Sequence, residues 1–474
     1  MKGKLGPFWV LAVVLALVLA ACGGDDDGDD GGDDGTTETT EAASGGDDGG
    51  DDGDDGGEAG EEVTLRVLIH QNPPLTAYME EFNAEFEAAN PGVTVDLSIV
   101  APDDMATVTN TRLTAADVDV IDYCIAPCAG FSNSLESYME GNVSEPPAWQ
   151  QLIEAGLIMD ITDEAFVQNF DETSIRDAAT FNDSVYAINM GRVSYSGMFV
   201  NNDLLADVGV DLPTTWSDLV AACETIDESG NFCMTLGGAD GWPIFVGAYG
   251  LLGAAFPDQA AFAEGLWTGD VKWNEGDGLA LMEKFQTFTQ EMLEPGVTGL
   301  GHNEATARYA AGDVAFMPTG VWQAPVLEEA APEFDWTYVP FPGSDNAEDN
   351  QYLFGKYDMS WMIASDTPHP DVAKAYLAGL ADPDNYQKFV DATGFLPTQP
   401  TATLNSKLGE AVNDLLAAGN YKVGFEQYWV TPTGAGQWAN GSNAPSWFEP
   451  FNEWTDAGEL ADQVQTDLEA GLGG

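Results

Sequence analysis

Basic residues are scarce in this chain: 14 Lys and Arg stand against 80 Asp and Glu, giving a formal net charge of -66. So negative a field repels phosphate backbones and anionic headgroups, which excludes nucleic acid binding through a basic face and adsorption to acidic lipid. Histidine is scarcer still; His70, His302 and His369 are the only three, too few for a histidine-rich metal site. No metal or other cofactor is expected. No apolar run reaches the roughly 20 residues that a bilayer-spanning helix needs. Catalytic signatures are missing as well: there is no Gly-x-Ser-x-Gly elbow, His-Glu-x-x-His pair, phosphate-binding Gly-x-x-x-x-Gly-Lys loop or strand-borne Gly-x-Gly-x-x-Gly. Pairs of carboxylates signal nothing in this composition, so a glycoside-acting enzyme is a remote alternative that would need a positioned pair.

What is present falls into distinct segments. Lys2 and Lys4 precede the thirteen-residue apolar run Phe8–Ala20, which ends in Ala20-Ala21-Cys22-Gly23. The run is too short to span a bilayer and fits a secretory signal. Its end resembles the bacterial lipobox, with residues 1–21 removed and Cys22 lipidated; an ordinary signal peptide is the alternative. Between Gly23 and Glu62 stand 18 acidic residues and no basic one, mostly Asp-Gly repeats. Residues 22–62 therefore read as a lipid-anchored tether: nothing in it buries apolar surface, and mutual repulsion extends it. A calcium-binding Asp/Gly repeat is the rival, though the nonapeptide pattern with its regular apolar residue is absent. With Cys22 assigned to lipid, Cys124, Cys128, Cys223 and Cys233 remain. Two short-loop disulfides are the simplest pairing, while sequence alone allows three connectivities or a Cys-x3-Cys metal or redox pair.

Beyond the tether, 44% apolar residues and 13 tryptophans across the chain indicate a folded core. Val63–Ile69 reads as a strand, Leu75–Ala89 as an amphipathic helix stopped by Asn90-Pro91-Gly92, and Val93, Val95, Leu97 and Ile99 as an alternating second strand. Strand, helix, strand is a βαβ unit and hence a parallel sheet. A third strand is expected at Val118–Tyr123, and extended segments at Val185–Ile188, Ser196–Val200 and Val314–Met317. Thr215 is placed to cap a helix with Asp218 returning the bond. Further helices are expected at Met282–Met292, Asp371–Leu380, Asp384–Asp391, Lys407–Ala418 and Ala457–Ala470.

Four stretches carry a recognisable pattern. They are Phe86-Glu87-Ala88-Ala89-Asn90-Pro91-Gly92-Val93, then Met198–Leu205 with Pro213-Thr214-Thr215-Trp216, then Ala311–Met317 with Gly320-Val321-Trp322, and Gly394-Phe395-Leu396-Pro397. In this order and spacing the chain resembles the bacterial extracellular solute-binding proteins of family 1, the maltose/oligosaccharide-binding type that serves ABC importers. Asn202 departs from the usual Lys of that pattern. The resemblance implies an α/β fold of type II, a two-lobed periplasmic-binding-protein-like clamp. Each lobe would be an open, mostly parallel sheet flanked by helices, and the discontinuous lobes would be joined by hinge crossings. Lobe one would hold Val63–Gly191 and Ile363–Phe395, and lobe two Arg192–Met362 and Leu396–Gly474. The implied function is capture of a sugar or oligosaccharide in the interlobe cleft by hinge closure, and delivery to a membrane permease. The protein would act as a monomer held to the membrane by its lipid. A polyamine or glycerophosphodiester ligand and a sensory lipoprotein are the alternatives.

Ligands of open α/β sheets sit beyond the carboxyl ends of strands, and sugars present apolar C–H faces to aromatic rings and hydroxyl edges to polar groups. Gln71 and Asn72 follow the first strand, and Asp122 and Tyr123 end the third. Trp322 sits where the family often places a stacking aromatic, and Trp242 opens a helix. Tyr357 and Trp361 lie at the second crossing. Arg192, at the first, is either a ligand contact or the partner of a buried carboxylate. Each of the tryptophans has core packing as its alternative.

Outside the tether, 62 acids still face 12 bases. Carboxylates this dense hold hydration and repel one another, as suits a saline or alkaline habitat. The thermal midpoint should therefore rise between low and molar sodium chloride; a flat or falling midpoint in calorimetry would refute the idea.

Overall fold

The computed structural model describes residues 62–123 and 135–473. The expected signal peptide, the tether, lipidated Cys22 and the pair Cys124 and Cys128 lie outside the described residues. Cys223 and Cys233 are disulfide-bonded, closing the short loop expected for them. Among the described residues no helix is long and apolar enough to cross a membrane.

The βαβ unit forms as its periodicity requires. Strand Val63–His70 pairs in parallel with Val93–Val100, and helix Pro73–Ala89 connects them. The helix turns Leu75, Tyr78, Met79, Phe82 and Phe86 inward. There Phe82 and Phe86 meet the ring of Tyr376 edge-on at 5.2 and 5.1 Å, from helix Pro370–Leu380. Edge-on pairs of this kind add about 0.5–1.5 kcal/mol each beyond the area they bury. Thr215 caps helix Trp216–Glu228 by accepting from the Asp218 N–H at 3.2 Å. The segment expected as one helix to Met292 is a helix over Gly276–Thr287 that widens into a π turn over Phe288–Met292.

Two sheets organise the rest, both within the compact unit Ala59–Gly474. In the first, the strands run Tyr421–Val423, Leu353–Ile363, Val120–Tyr123, Val63–His70 and Val93–Val100, with Ile188–Ser194 also paired to Leu353–Ile363. Three of its five pairings are parallel. The second sheet runs Trp336–Pro340, Gly197–Asn201, Val314–Pro318 and Phe232–Met234. Only Phe232–Met234 with Val314–Pro318 is parallel there, so this sheet departs from the mostly parallel order expected. The reason is chain direction: Gly197–Asn201 comes straight out of the first sheet and is met by two strands running the other way.

The chain leaves the first sheet after Ser194 and pairs in the second from Gly197, with only two residues between. It returns in Leu353–Ile363, all eleven residues of which are buried, including Lys356, Asp358 and Ser360. Helix Tyr249–Ala255 packs close to both passages. A Cβ on Gly250 would stand 2.2 Å from that of Phe341, and one on Gly253 would stand 2.4 Å from the Phe354 ring. Only glycine fits at either position.

Asp119, fully buried, ties the start of the third strand to the first. Its carboxylate accepts from Arg66 N at 2.8 Å, Nε at 3.0 Å and Nη2 at 2.8 Å, and from Thr367 Oγ1 at 2.8 Å. Burial alone would raise its pKa, but these bonds hold it below the usual carboxylate range. Replacing Asp119 by Ala strands the Arg66 guanidinium and the Thr367 hydroxyl, so Asp119→Ala should cost about 3 kcal/mol at pH 7 in urea denaturation. Because a lowered pKa contributes stability only above the unfolded value, the difference from wild type should shrink as the pH falls below 3.8.

Candidate ligand site

At the carboxyl ends of the first sheet's parallel strands, a buried charge cluster forms. Asp122 is fully buried, and its Oδ2 faces His70 Nδ1 at 2.5 Å. Its Oδ1 has no hydrogen-bond partner among the described residues. Burial works against a charged His70, but the charge and bond of Asp122, helped by the charge of Asp358, leave its pKa raised. Asp358 is pushed up to about 6, chiefly by burial and also by the charge of Asp122, while Lys356 and His70 pull it back. Its Oδ1 accepts from the N–H of Met359 at 2.8 Å, and its carbonyl accepts from Asn189 Nδ2 at 2.7 Å.

Met359 adopts a left-handed φ of 56° in the middle of this buried strand. For a non-glycine residue that costs about 1–3 kcal/mol and persists only where the surroundings impose it. Here it accompanies the short loop of the Asp358 carboxylate back onto its own chain.

At the carboxyl ends of the second sheet's parallel strands the chemistry is different. Phe232–Met234 leads on to Trp242, and Val314–Pro318 to Trp322. The two indoles lie 6.1 Å apart at 49°, both half-buried. His302, the first residue of helix His302–Ala310, completes the group, its ring 4.6 Å from that of Trp242. Its Nε2 receives Trp322 Nε1 at 3.3 Å and lies 2.7 Å from Gln323 Nε2. Burial pushes the pKa of His302 down to about 4 despite the charges of Asp240 and Glu304. Gly320 is indispensable here, since a Cβ on it would stand 2.0 Å from Trp322 Cζ3. The turn Val321–Gln323 packs against strand Ile188–Ser194 of the first sheet, so the aromatic group lies beside the crossing.

The other residues singled out from sequence fall as follows. Gln71 is exposed just past the first strand. Asn72 caps the first helix by accepting from Leu75 N at 3.2 Å. Tyr123 ends its strand, its backbone paired with Ser360. Trp361 has no exposed surface and is a core residue. Tyr357, also buried, is the cross-strand neighbour of Arg192. Arg192 has no carboxylate within 4 Å among the described residues, so the expected buried ion pair does not form, and its buried Nε has no hydrogen-bond partner there. Its Nη2 donates to the carbonyl of Pro397 at 2.8 Å, its guanidinium lies 4.9 Å over the Tyr421 ring, and its backbone exchanges two hydrogen bonds with Leu396. It therefore staples the first crossing to the segment around Leu396.

Sequence reasoning missed His70, His302, Asp358 and Gln323. The histidines were visible only as rare residues; in the fold one ends a strand and one opens a helix. Two surface depressions of about 460 and 430 Å³ lie elsewhere and contain none of these side chains.

Comparison with known proteins identifies the family and the fold. The pattern of the family described as bacterial extracellular solute-binding protein matches residues 71–387. A multiple sugar-binding protein of Streptococcus mutans is 21% identical over 346 residues, spanning 70% of this chain and 74% of its own. Among solved structures, the binding protein RafE in complex with raffinose superposes with a TM-score of 0.69 at 19% identity, over 86% of this chain and 98% of that one. A structure from work on xylan utilisation by Caldanaerobius polysaccharolyticus gives 0.67 at 19% identity, over 85% and 99%. Likeness at such identities speaks for the fold, and the fold is the type II two-lobed clamp.

A raised carboxyl pKa stabilises the folded state fully below the unfolded value of 3.8, and that stabilisation is lost as the pH rises through about 6. Asp358→Asn should therefore gain on wild type at pH 7.5 and lose most of that advantage by pH 4 when urea midpoints are compared. An advantage independent of pH would show that Asp358 titrates normally.

Proposed function

The chain belongs to the bacterial extracellular solute-binding protein family, and from that premise we propose that it captures an uncharged carbohydrate between two lobes and hands it to an ABC permease. The observation that carries this reading is the Trp242–Trp322 pair at the strand ends of the second sheet. Two half-buried indoles beside a neutral imidazole offer an apolar, uncharged surface to the C–H face of a pyranose ring. The Asp122–His70–Asp358 cluster supplies the complementary chemistry at the strand ends of the first sheet, where the free Oδ1 of Asp122 is an acceptor for a hydroxyl. Its two carboxylates are faced by His70 and Lys356, and Arg192 bonds the Pro397 carbonyl and covers Tyr421 with only its buried Nε left unpartnered, which favours a neutral sugar over a carboxylated one.

Lobe one comprises the first sheet and its helices, and lobe two the second. The sheet pairings support moving the crossings to residues 195–196 and 341–352, from the expected positions after Gly191 and Met362. Closure about these passages is stabilised only by what the ligand gains in the closed state. No bond is made or broken. Lipid on Cys22 and the acidic tether would hold the monomer at the outer face of the membrane, within reach of the permease.

The reading is tested by thermal shift and calorimetry on the whole protein. The panel is raffinose, stachyose, galactose, xylo- and chitin oligosaccharides, spermidine and glycerophosphocholine. The first three and the oligosaccharides reflect the ligands or settings named for structural neighbours. At least one sugar should raise the midpoint by mass action and be recovered intact. Trp322→Ala and Trp242→Ala should each weaken it about tenfold or more, roughly 1.4 kcal/mol per lost stacking surface, with the unliganded fold retained. Stabilisation by spermidine or the phosphodiester alone would refute the sugar reading.

A further inference from the structure

We propose that His302 is the positioning residue of the aromatic pair: an uncharged imidazole whose bare Nε2 fixes the plane of the Trp322 ring before any ligand arrives. The functional consequence rests on the reading of Trp242 and Trp322 as a sugar platform, whereas the positioning itself does not.

An indole nitrogen can only donate. With Trp322 Nε1 directed at His302 Nε2, that ring nitrogen must be the acceptor, and the imidazole proton must sit on Nδ1. Gln323 is then settled too: the atom 2.7 Å from the same Nε2 must be its amide nitrogen. Two donors converge on one lone pair, and no other tautomer satisfies both.

The uncharged form has a structural basis. His302 opens a nine-residue helix, whose N-terminal end carries partial positive charge and disfavours an imidazolium. The ring is largely buried under Trp242, and Gly237 brings the backbone so close that a Cβ there would lie 2.6 Å from His302 Cα. The groups that oppose neutrality are Asp240, which accepts from the His302 N–H at 2.6 Å from the turn Gly238–Asp240, and Glu304 on the same helix. Burial outweighs both. A proton on Nε2 would set a donor against two donors, and the Trp322 ring would lose its orientation.

The test uses the whole protein labelled with nitrogen-15 at His and Trp, and needs no sugar. Long-range correlation spectra of the three histidines, assigned with His369→Gln and His302→Gln, should show His302 as the Nδ1–H tautomer from pH 8 down to pH 5. An ordinary imidazole would already be largely charged at that end. The Trp322 indole N–H, assigned with Trp322→Phe, should be shifted downfield and slow to exchange in wild type. In His302→Leu that signature should be lost, and in His302→Gln, which keeps an acceptor, it should be partly restored. An Nε2–H tautomer or an imidazolium at pH 7 overturns the proposal, and so does an indole signal in His302→Leu identical to wild type. The tautomer is read in fully folded protein, so misfolding of His302→Leu would not remove the decision. If the tautomer and indole results hold while no sugar binds, only the carbohydrate reading fails.

Discussion

The strand Leu353–Ile363 is the constraint on which the rest depends. It lies against three neighbours in turn, Tyr421–Val423, Ile188–Ser194 and Val120–Tyr123, and so joins the passage from the second sheet to the centre of the first. A strand buried along its whole length usually reads as a continuous apolar run. This one places Lys356, Asp358 and Ser360 in the interior, and each needs compensation because an unpaired buried charge costs several kcal/mol. That compensation comes from the strand ends on either side. His70 and Asp122 share a proton-bearing contact beside Asp358, and Asn189 bonds both the Asp358 carbonyl and the Ser360 hydroxyl. The strained turn of Met359 belongs to the same arrangement. Polar chemistry at the strand ends is thus a condition of having this central strand at all.

The two clusters at the strand ends differ in dielectric character. The first concentrates compensated charge in a water-poor place, where each free acceptor is worth more than in bulk solvent. The second removes charge: its one titratable ring is held neutral and spends its acceptor on the indole edge. Joining opposite ends of two sheets by short passages lets each half be built rigidly on strands, with adjustment confined to the crossings.

The regular parts of this design were legible in the sequence. The βαβ unit, the Thr215 cap, the Cys223–Cys233 loop and the terminal helices follow from periodicity, capping chemistry and loop length, all local signals. Asp122, Trp242 and Trp322 lie at or beyond strand ends as expected, because strand ends and family-like placement are also readable. The central strand was not, because Leu-Phe-Gly-Lys-Tyr-Asp-Met-Ser-Trp mixes polar and apolar residues in the manner of an exposed hairpin. Its burial is decided by neighbours distant in the chain, from Tyr421 opposite Leu353 to Val120 opposite Ile363. His302 and Gln323 escaped for a similar reason: twenty residues of intervening chain separate the imidazole from the indole it serves, and only the fold closes that gap. Trp361 shows the converse, a tryptophan near the crossing that the interior claims.

Charge distribution gives the crossings a particular character. Of the 12 cations beyond the tether, Arg192, Lys284, Lys356 and Lys422 form no ion pair within 4 Å among the described residues, and the other eight do. Three of these four bond carbonyl oxygens instead: Arg192 that of Pro397, Lys284 that of Gly343 and Lys422 that of Pro257. Aromatic rings take their remaining surface, with Tyr421 under Arg192, Trp216 beside Lys284 and Tyr352 beneath Lys422. Carboxylates are abundant everywhere, so their absence at these positions reflects the local fold and not the supply. Held by carbonyls and rings, Arg192, Lys284 and Lys422 sit beside the segments where the chain passes between sheets. They offset there the repulsion that 62 acids would otherwise concentrate on any pair of approaching surfaces. Three of the four bases that lack a carboxylate partner are thus gathered beside the passages between the two sheets.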